Sequence, residues 1–473
     1  MADNIMPHPW IPNSSESIKK YLMKELGIKN VLELFNDVPK ELLLDRPLNV
    51  GFGKPLSEYE MRRKFSRIIS RNKVFTDPPS FIGGGFCMHY VPAALKYLLS
   101  RGEFYTAYTP YQAEINQGIL QALFEYQSLI AELYDVDIVN ASMYNGSTAA
   151  AEAIRMALRV RRGRNKIVLA STAHPEVKEV IKTWLQGLNV NVVEAPMDKE
   201  IGELDAEKLK SIVDEKTAAV YVEYPNFFGI IERGIKEYID IAHERGALAV
   251  VYANPIALGV FRPPGSMGAD IVVGDTQPLG SGLNFGGPSA GILGIKYERE
   301  LLRQLPGRLI GATKTVDNKE IGFTMILQTR EQHIRRERAT SNITTNSSLM
   351  AIAAAIYLTL LGSNGIRKLG EVILGRTYYA INSLSKVNGL QAPAIGGKKS
   401  VFFREFTIRF EGNVDTIIKE LINKGIHIGP PLSRFYNDNY LKSCALVCVT
   451  ELHSKNDIDM LAKSIEEVVS SGV

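Results

Sequence analysis

The feature that most constrains the fold of this chain is a repeated alternation of strand-like and helical segments between residues 148 and 295. Short apolar runs typical of buried strands are separated by segments whose apolar residues recur at helical spacing. The strand-like runs cover 166–172, 190–195, 218–222, 247–252, 270–273 and 290–295, and the helical patterns cover 148–160, 176–187, 206–213 and 236–245. Because strand–helix–strand units form right-handed crossovers, this order predicts an α/β fold whose sheet is mainly parallel and covered on both faces.

The segments on either side of this region follow other patterns. Residues 14–73 are polar, and prolines interrupt their short helical patterns, which predicts an N-terminal arm or helical segment over 1–75 without a core of its own. The sheet domain is then predicted over 76–330, and it includes a helix at 114–134 that buries one face. A smaller α+β lobe is predicted over 331–473, from helices at 347–361, 366–386, 414–424 and 456–470 and strands at 402–410 and 445–450.

Composition argues against several classes of protein. The 473 residues include 55 Lys and Arg against 51 Asp and Glu, a formal charge of +4 that is too small and too evenly spread for a nucleic-acid-binding stripe. The longest nearly apolar run, 349–362, is shorter than the roughly 18 residues that a membrane span requires. Three cysteines form neither an even set nor a C-x-x-C pair, so a disulfide framework or a zinc site would be hard to build. We therefore expect a cytoplasmic protein without a metal, a nucleic-acid partner or a membrane segment.

Candidate site residues lie beyond the carboxyl ends of the predicted strands, where ligands bind in open parallel sheets. Ser147 and Thr148 follow Gly146 at the start of a helix, where hydroxyls beside the free amides of the first turn could hold a phosphate; simple capping of the helix is the alternative. His174 could stack on a flat cofactor ring, or it could be a surface or capping residue. Asn226 could reach the same edge of the sheet, or it could organise a turn.

The loop at 104–112 is rich in aromatic residues that carry hydroxyl groups. Tyr108, Tyr111 and Gln112 come just before the helix predicted at 114–134. Such side chains are typical of a ligand site or an interface, although they could also pack a corner of the fold. These three residues are therefore candidates for lining an active site.

Five short motifs occur in order between residues 80 and 350. They are YTPYQAEI at 108–115, NASMY at 140–144, PNF at 225–227, GGP at 286–288 and RERATSNITT at 336–345. Together they resemble landmarks of the glycine cleavage system P protein, the decarboxylating glycine dehydrogenase, and the length of the chain resembles the separate first subunit of its two-chain form. The resemblance implies fold type I of the pyridoxal-phosphate enzymes, with a mainly parallel seven-stranded sheet domain and a smaller C-terminal lobe.

The resemblance also implies an activity. The complete P protein binds glycine as an imine with pyridoxal phosphate, releases the carboxyl carbon as CO2 and passes the aminomethyl group to the lipoyl arm of the H protein. Glycine, the lipoylated H protein and a second P-protein subunit are therefore the expected partners, in a heterodimer or a two-plus-two heterotetramer.

Two groups that hold the cofactor in this fold are missing where the resemblance implies them. The chain has no lysine between Lys236 and Lys296, and the segment that should carry a histidine–lysine pair has Gln277 and Pro278 near the expected place. The strand that should deliver a carboxylate to the pyridinium nitrogen ends at Asn254, which cannot supply the charge. The sequence therefore predicts that this chain does not hold pyridoxal phosphate itself and depends on a lysine-bearing partner subunit.

The resemblance implies that the chain completes the partner's site. In related enzymes two sheet domains pair about a near twofold axis, and a Gly-Thr or Ala-Thr step reaches the phosphate held by the other chain. Thr340, Ser341 and Asn342 follow Ala339 in a segment that resembles this step, so they are candidate cofactor-binding residues acting across the interface. The alternative is a structural or regulatory scaffold of the same complex that takes no part in the chemistry.

Overall fold

The computed structural model describes residues 7–8, 10–44, 46, 51, 56–397 and 399–471. The chain divides into two units, Met1–Val74 and Phe75–Val473. The described α-helices are α1 Glu16–Leu26, α2 Glu58–Ile69, α3 Ala93–Leu99, α4 Gln117–Tyr134, α5 Gly146–Val160, α6 Pro175–Leu185, α7 Ala206–Ile212, α8 Ile235–Glu244, α9 Arg299–Gln304, α10 Gln332–Arg335, α11 Ser348–Leu384, α12 Val414–Asn423 and α13 Lys455–Ser470.

The β-strands of the described residues all belong to the second unit. They are β1 Phe81–Ile82, β2 Ile138–Val139, β3 Lys166–Ala170, β4 Asn191–Ala195, β5 Thr217–Tyr224, β6 Leu248–Ala253, β7 Ile271–Asp275, β8 Gly291–Ile295, β9 Ile310–Lys314, β10 Ile321–Met325, β11 Leu390–Gln391, β12 Glu405–Phe410, β13 Ile428–Gly429 and β14 Cys444–Cys448. The six strand-like runs predicted between residues 166 and 295 correspond to β3–β8, with ends that differ by two residues or fewer.

The first unit contains α1, α2 and short 3₁₀ turns. Ser15 accepts a hydrogen bond from the amide of Ile18 at the start of α1, and Ser57 and Glu60 form a capping box at the start of α2. No residue of either helix is buried. The predicted arm also includes residues 1–6, 9, 45, 47–50 and 52–55, which lie outside the described residues.

A seven-stranded sheet forms the centre of the second unit, with strand order β2-β8-β7-β6-β5-β3-β4. Neighbouring strands pair in parallel except at β8, which is antiparallel to both β2 and β7. The helices cover both faces: α4, α8 and α11 supply one core cluster, and α5, α6 and α9 supply the other. Burial on both faces explains why the strands read as continuous apolar runs in the sequence.

Among the described residues, α11 is the one helix long and apolar enough to cross a membrane by length and composition. Half of its most apolar window is buried, and Ile352 and Tyr357 belong to the core cluster that also contains α4. Gly362 interrupts the helix with a φ of +62°, between the two helical patterns predicted from the sequence. These contacts make α11 a core helix of the second unit.

A three-stranded antiparallel sheet, β11-β12-β14, forms the C-terminal lobe together with α12 and α13. β1 pairs in parallel with β13, so Phe81 and Ile82 pack with this lobe and not with the seven-stranded sheet, in whose domain the predicted boundary places them. The lobe is also joined to the loop after β5, because the amide of Phe403 donates to the carbonyl of Gly229 at 2.9 Å.

Cys87 and Cys448 form a disulfide, and Cys444 is free and buried. The three cysteines therefore form one disulfide, which their spacing in the sequence does not predict, and no disulfide framework within the described residues. The two cysteines lie 361 residues apart in the chain. Only the packing of the 83–89 segment against β14 brings them together, and cysteine spacing contains no information about that contact.

Candidate active site

A cavity of about 260 Å³ lies at the carboxyl ends of β3, β5, β6 and β7. The loops after these strands line it, together with the start of α5 and two residues of the C-terminal lobe, Arg404 and Glu405. This is the edge of the sheet where ligands were expected from the strand order. Ser147, His174 and Asn226, three of the residues predicted from the sequence, line this cavity.

Two amides at the start of α5, those of Gly146 and Thr148, are occupied by side chains of the chain itself. Asn145 caps the helix, because its Oδ1 accepts from the amide of Thr148 at 2.9 Å. The carboxylate of Asp275 accepts from the amide of Gly146 at 2.7 Å. The helix is therefore capped, but by Asn145 and not by Ser147 or Thr148, and the carboxylate of Asp275 takes one of the amides predicted to hold a phosphate.

Asp275 is held at the end of β7 by three hydrogen bonds. Besides Gly146, it accepts from the amide of Gln277 at 2.8 Å and from the hydroxyl of Ser289 at 3.2 Å. Burial raises the pKa of Asp275 to about 6, although these hydrogen bonds act in the opposite direction. The carboxylate is thus fixed in place against the first turn of α5.

Tyr252 fills the space above the same helix start. A Cβ added to Gly146 would lie 2.4 Å from the hydroxyl oxygen of Tyr252 and 3.0 Å from the Cβ of Asp275, so residue 146 must be glycine for these side chains to fit. Burial raises the pKa of Tyr252 well above its usual value, which keeps the phenol neutral. Sequence reasoning missed both Tyr252 and Asp275, because neither belongs to a recognisable local motif.

His174 caps α6. Its Nδ1 accepts from the amide of Glu176 at 3.2 Å and its Nε2 donates to the carbonyl of Gly84 at 2.8 Å. The imidazole also packs edge-on against Phe227, with ring centroids 4.7 Å apart. Both ring nitrogens therefore have partners within the chain, and the capping alternative describes this residue.

Asn226 organises the loop after β5. Its Nδ2 donates to the carbonyl of Gly202 and to Glu232, both at 2.9 Å. Its Oδ1 accepts from the amides of Phe228 at 3.0 Å and Ile230 at 3.2 Å. These four bonds use the full hydrogen-bonding capacity of an asparagine side chain, so the turn-forming alternative describes the polar atoms of Asn226, while the residue also lines the cavity.

Six of the other predicted residues lie on a surface of the molecule apart from the cavity lining. We call this set the tyrosine–threonine surface; its members are Tyr108, Tyr111, Gln112, Thr340, Ser341 and Asn342. Tyr108 is 81% exposed and Tyr111 is 51% exposed. The sequence-predicted residues therefore form two groups, one inside the cavity and one on this surface, and Thr148, buried in α5, belongs to neither.

Sequence reasoning missed Arg308, a buried arginine that joins the two segments of the tyrosine–threonine surface. It pairs with Glu331, donates to the carbonyl of Thr344, and donates to the hydroxyl of Tyr111 at 2.7 Å. The hydroxyls of Thr109 and Thr345 lie 3.0 Å apart across the same junction. These contacts join the tyrosine-rich loop to the 330–345 segment.

Thr340, predicted to bind the phosphate held by a partner, has two donors that could do so, its hydroxyl and its backbone amide. The backbone amide donates to the carbonyl of Arg330 at 2.9 Å and is therefore not available to a partner. Its hydroxyl makes no hydrogen bond within the described part of the chain. Any contact of Thr340 with a partner therefore depends on the hydroxyl.

A sequence profile of the glycine cleavage system P-protein family matches residues 8–465. The chain belongs to this family. A protein of Staphylothermus marinus named probable glycine dehydrogenase (decarboxylating) subunit 1 is 48% identical over 471 residues, covering 98% of this chain and 98% of the relative. A protein of the same name from Saccharolobus islandicus is 47% identical over 465 residues, with 98% of each chain covered. The resemblance to the first subunit of the two-chain P protein is thereby confirmed.

Solved structures agree with this assignment. An inhibitor-bound glycine decarboxylase (P-protein) of the glycine cleavage system has a TM-score of 0.85 and 37% identity, and the match covers 98% of this chain and 99% of that one. A sphingosine-1-phosphate lyase from Burkholderia pseudomallei, at a TM-score of 0.62 and 14% identity, shares the fold alone. The predicted fold class, fold type I of the pyridoxal-phosphate enzymes, is confirmed.

The cavity of this P-protein chain does not fit pyridoxal phosphate. Its lining contains no lysine, and Gln277 follows β7 near the place where the resemblance implies the attachment site. Asn254 uses its Oδ1 to accept from the amides of Ile256 and Ala257, at 3.0 and 3.3 Å, and so closes a turn. The carboxylate of Asp275 and the ring of Tyr252 occupy the start of α5. Within the described residues, no group of three or more His, Cys, Asp or Glu could hold a metal ion.

Proposed function

We propose that this chain is the subunit of a two-chain P protein that does not hold the cofactor. A second subunit of the same fold supplies the lysine and holds pyridoxal phosphate, which serves as the electron sink for the decarboxylation of glycine. The aminomethyl group then passes to the lipoyl arm of the H protein. The chain described above takes part by completing the partner's site from across the interface.

The occupied helix start is the observation that carries this proposal. The amide of Gly146 donates to Asp275 at 2.7 Å, and the lining of the cavity contains no lysine. A ligand phosphate would have to displace a buried carboxylate that also accepts from Gln277 and Ser289. The family match nevertheless extends over 8–465, so the loss that we propose concerns the cofactor and not the fold.

The tyrosine–threonine surface supports the contribution to a partner's site. Tyr108 and Tyr111 are exposed, but the second of them is held in place by a buried arginine, so its position is defined before any partner binds. Groups that are held in place beforehand lose little entropy on binding. The hydroxyl of Thr340 and the side chains of Ser341 and Asn342 are our candidates for contact with the partner's phosphate, and the tyrosines are candidates for a wall of the channel for glycine and the lipoyl arm.

A first experiment tests whether the chain holds the cofactor. The full chain is incubated with pyridoxal phosphate, reduced with borohydride and analysed by peptide mapping. We expect no stoichiometric label between residues 270 and 296, because the cavity offers no amine there. A pyridoxyl group on Lys296 at one equivalent per chain would contradict the proposal, whereas weak labelling of surface lysines at low stoichiometry would not.

A second experiment tests the dependence on a partner. Glycine decarboxylation and the exchange of the glycine carboxyl group with bicarbonate are measured for this chain alone and after mixing with a lysine-bearing subunit of the same fold. We expect both reactions only in the mixture. Sustained turnover by this chain alone would overturn the proposal.

A further inference from the structure

The first unit of the chain exposes more apolar surface than its length accounts for. Of the large apolar side chains that are exposed in the described residues, 17 lie in Met1–Val74 and 19 in Phe75–Val473, a unit more than five times as long. No residue of α1 or α2 is buried. Monomeric soluble proteins rarely expose extended apolar surface, and such surface marks an interaction site.

The two helices of this unit are too short to be stable by themselves. α1 has 11 residues and α2 has 12, and isolated helices shorter than about 12–15 residues are marginal in water. Most of the stability of protein helices comes from packing of an apolar face, and neither α1 nor α2 has a buried residue. Both helices therefore need a further surface to pack against.

One face of α2 is apolar along its length. Met61, Phe65, Ile68 and Ile69 have the i, i+4, i+7 and i+8 spacing of a single helix face, and they are 45–59% exposed. We call these four residues the α2 stripe. Tyr59, which is 69% exposed, lies on the opposite side of the helix. A stripe of this pattern is typical of helices that lie in an apolar groove of a partner protein.

The exposed apolar area of the first unit is large enough for a stable subunit contact. Four of its aromatic side chains are 48–86% exposed, namely Trp10, Tyr21, Phe35 and Phe65. At about 150–250 Å² for each fully buried aromatic side chain, they leave roughly 400–600 Å² to bury. Twelve exposed aliphatic side chains of the unit add to this area, so it reaches the roughly 800 Å² per partner of a standard protein–protein interface.

The charge of the first unit indicates the kind of partner. Residues 1–74 contain 13 Lys and Arg against 9 Asp and Glu, and the other 399 residues contain 42 of each. The whole formal charge of +4 therefore lies in the first unit, where residues 58–73 have six basic and two acidic side chains. A second copy of this chain would bring the same positive unit and a second unit without net charge. An apolar groove with an acidic rim complements the α2 stripe and the basic residues beside it.

We propose that α2 docks on the second P-protein subunit, with the α2 stripe in an apolar groove that has an acidic rim, and that the first unit thereby holds the two subunits together. The inference rests on the proposed function, which supplies that subunit. The first unit belongs to the region shared with the family, because the family profile begins at residue 8.

Hydrogen exchange of the amides of α2 identifies what the helix packs against. The full chain is measured alone at several concentrations, with the second subunit, and with vesicles of phosphatidylcholine and phosphatidylserine. We expect fast exchange in the chain alone and protection when the second subunit is added. Protection in the chain alone would mean that α2 packs on its own chain or, if it grows with concentration, on a second copy. Either result, or protection by the vesicles and not by the subunit, would overturn the proposal.

Substitutions in α2 test the docking face. Met61→Ser/Ile68→Ser should weaken association with the second subunit about ten- to a hundredfold in analytical ultracentrifugation, because about half of each side chain remains to be buried. Tyr59→Ser is the matched control: it removes a larger exposed side chain from the opposite face and should leave the affinity unchanged. Equal losses in both variants would contradict the docking face. Raising the salt concentration from about 0.05 M to about 0.5 M should also weaken association, and an unchanged affinity would contradict the acidic rim.

Glycine decarboxylation by the mixed subunits separates this inference from the proposed function. At saturating second subunit, Met61→Ser/Ile68→Ser should reach the wild-type rate, because the α2 stripe only sets the concentration at which the subunits associate. If the wild-type mixture is active but the folded stripe variant associates as tightly as wild type, the docking inference is wrong and the proposed function stands. If the wild-type mixture associates through α2 but does not decarboxylate glycine, the proposed function is wrong and the docking stands.

Discussion

Replacing Arg308 with methionine should destabilise the chain by about 4–6 kcal/mol. The arginine pairs with Glu331, and the two side chains are only 3% and 5% exposed. Removing one partner of a buried ion pair costs about 3–5 kcal/mol, because the other charge remains buried without compensation. The lost donations to the Tyr111 hydroxyl at 2.7 Å and to the carbonyl of Thr344 add about 1 kcal/mol.

A double-mutant cycle separates the ion pair from general packing effects. Glu331→Met alone should also destabilise the chain, because it leaves the guanidinium group of Arg308 unpaired. The double variant Arg308→Met/Glu331→Met should be more stable than the sum of the single effects predicts, by about 3 kcal/mol, because neither charge then remains buried alone. Urea denaturation followed by circular dichroism measures the free energy of unfolding for all four proteins.

An exposed arginine of the same segment provides the matched control. Arg338 pairs with Glu337, but the two side chains are 85% and 77% exposed. Arg338→Met should change the free energy of unfolding by less than about 1 kcal/mol, because water screens such pairs. If Arg308→Met cost no more than this control, or if the two single effects in the cycle were additive, burial of the pair would not determine the stability of this junction.

Three further predictions concern the cofactor, the pH dependence and the fold. In the assembled complex, Thr340→Ala should weaken the binding of pyridoxal phosphate by roughly ten- to a hundredfold, whereas Thr340→Ser should have little effect. Titration with the cofactor measures both affinities. Equal affinity for wild type and the alanine variant would favour the scaffold alternative. Burial raises the pKa of Asp275 from 3.8 to about 6, so between pH 3.8 and about 6 the folded chain binds more protons than the unfolded chain. The free energy of unfolding should therefore fall by about 3 kcal/mol as the pH rises through this range. Measurements of the free energy of unfolding against pH should show that Asp275→Asn lacks this fall. Gly229→Ala should lower the free energy of unfolding by more than about 3 kcal/mol in urea denaturation, because the φ of Gly229 is +80° and the new Cβ would lie 1.8 Å from the carbonyl oxygen of Glu405. Gly425→Ala is the control: its φ is +86° but the space around it is open, so the loss should be only about 1–2 kcal/mol.

The sequence predicted those parts of the fold in which burial imposes a pattern. Strands β3–β8 are buried on both faces, so their apolar runs stand out from the helices between them. The hairpin β9–β10 was missed because most of its residues are exposed or half-buried, and its two strands therefore show no apolar alternation. The pairing of β1 with β13 was missed because two-residue strands carry no periodic signal at all.

The candidate site was predictable only where the presence or absence of a residue type decides the matter. The absence of lysine between Lys236 and Lys296 can be read without knowing where any side chain lies. The role of Asp275 cannot be read from the sequence. It depends on a 2.7 Å hydrogen bond between its carboxylate at the end of β7 and the amide of Gly146 at the start of α5, and these residues are 129 positions apart. Arg308 is likewise a single cation in an unremarkable sequence, and its importance follows from its burial.

The filled helix start and the missing lysine are physically connected. The first turn of a helix exposes amides that favour a negative charge, and an amide buried there without a partner costs about 1–3 kcal/mol. A subunit that holds no cofactor phosphate must satisfy the amide of Gly146 in another way, and Asp275 does so at 2.7 Å. The carboxylate therefore stabilises the fold without a ligand and excludes the phosphate by the same contact. Loss of the lysine alone would leave an amide site able to take up a free anion, whereas the two features together support our proposal that the partner subunit holds the cofactor.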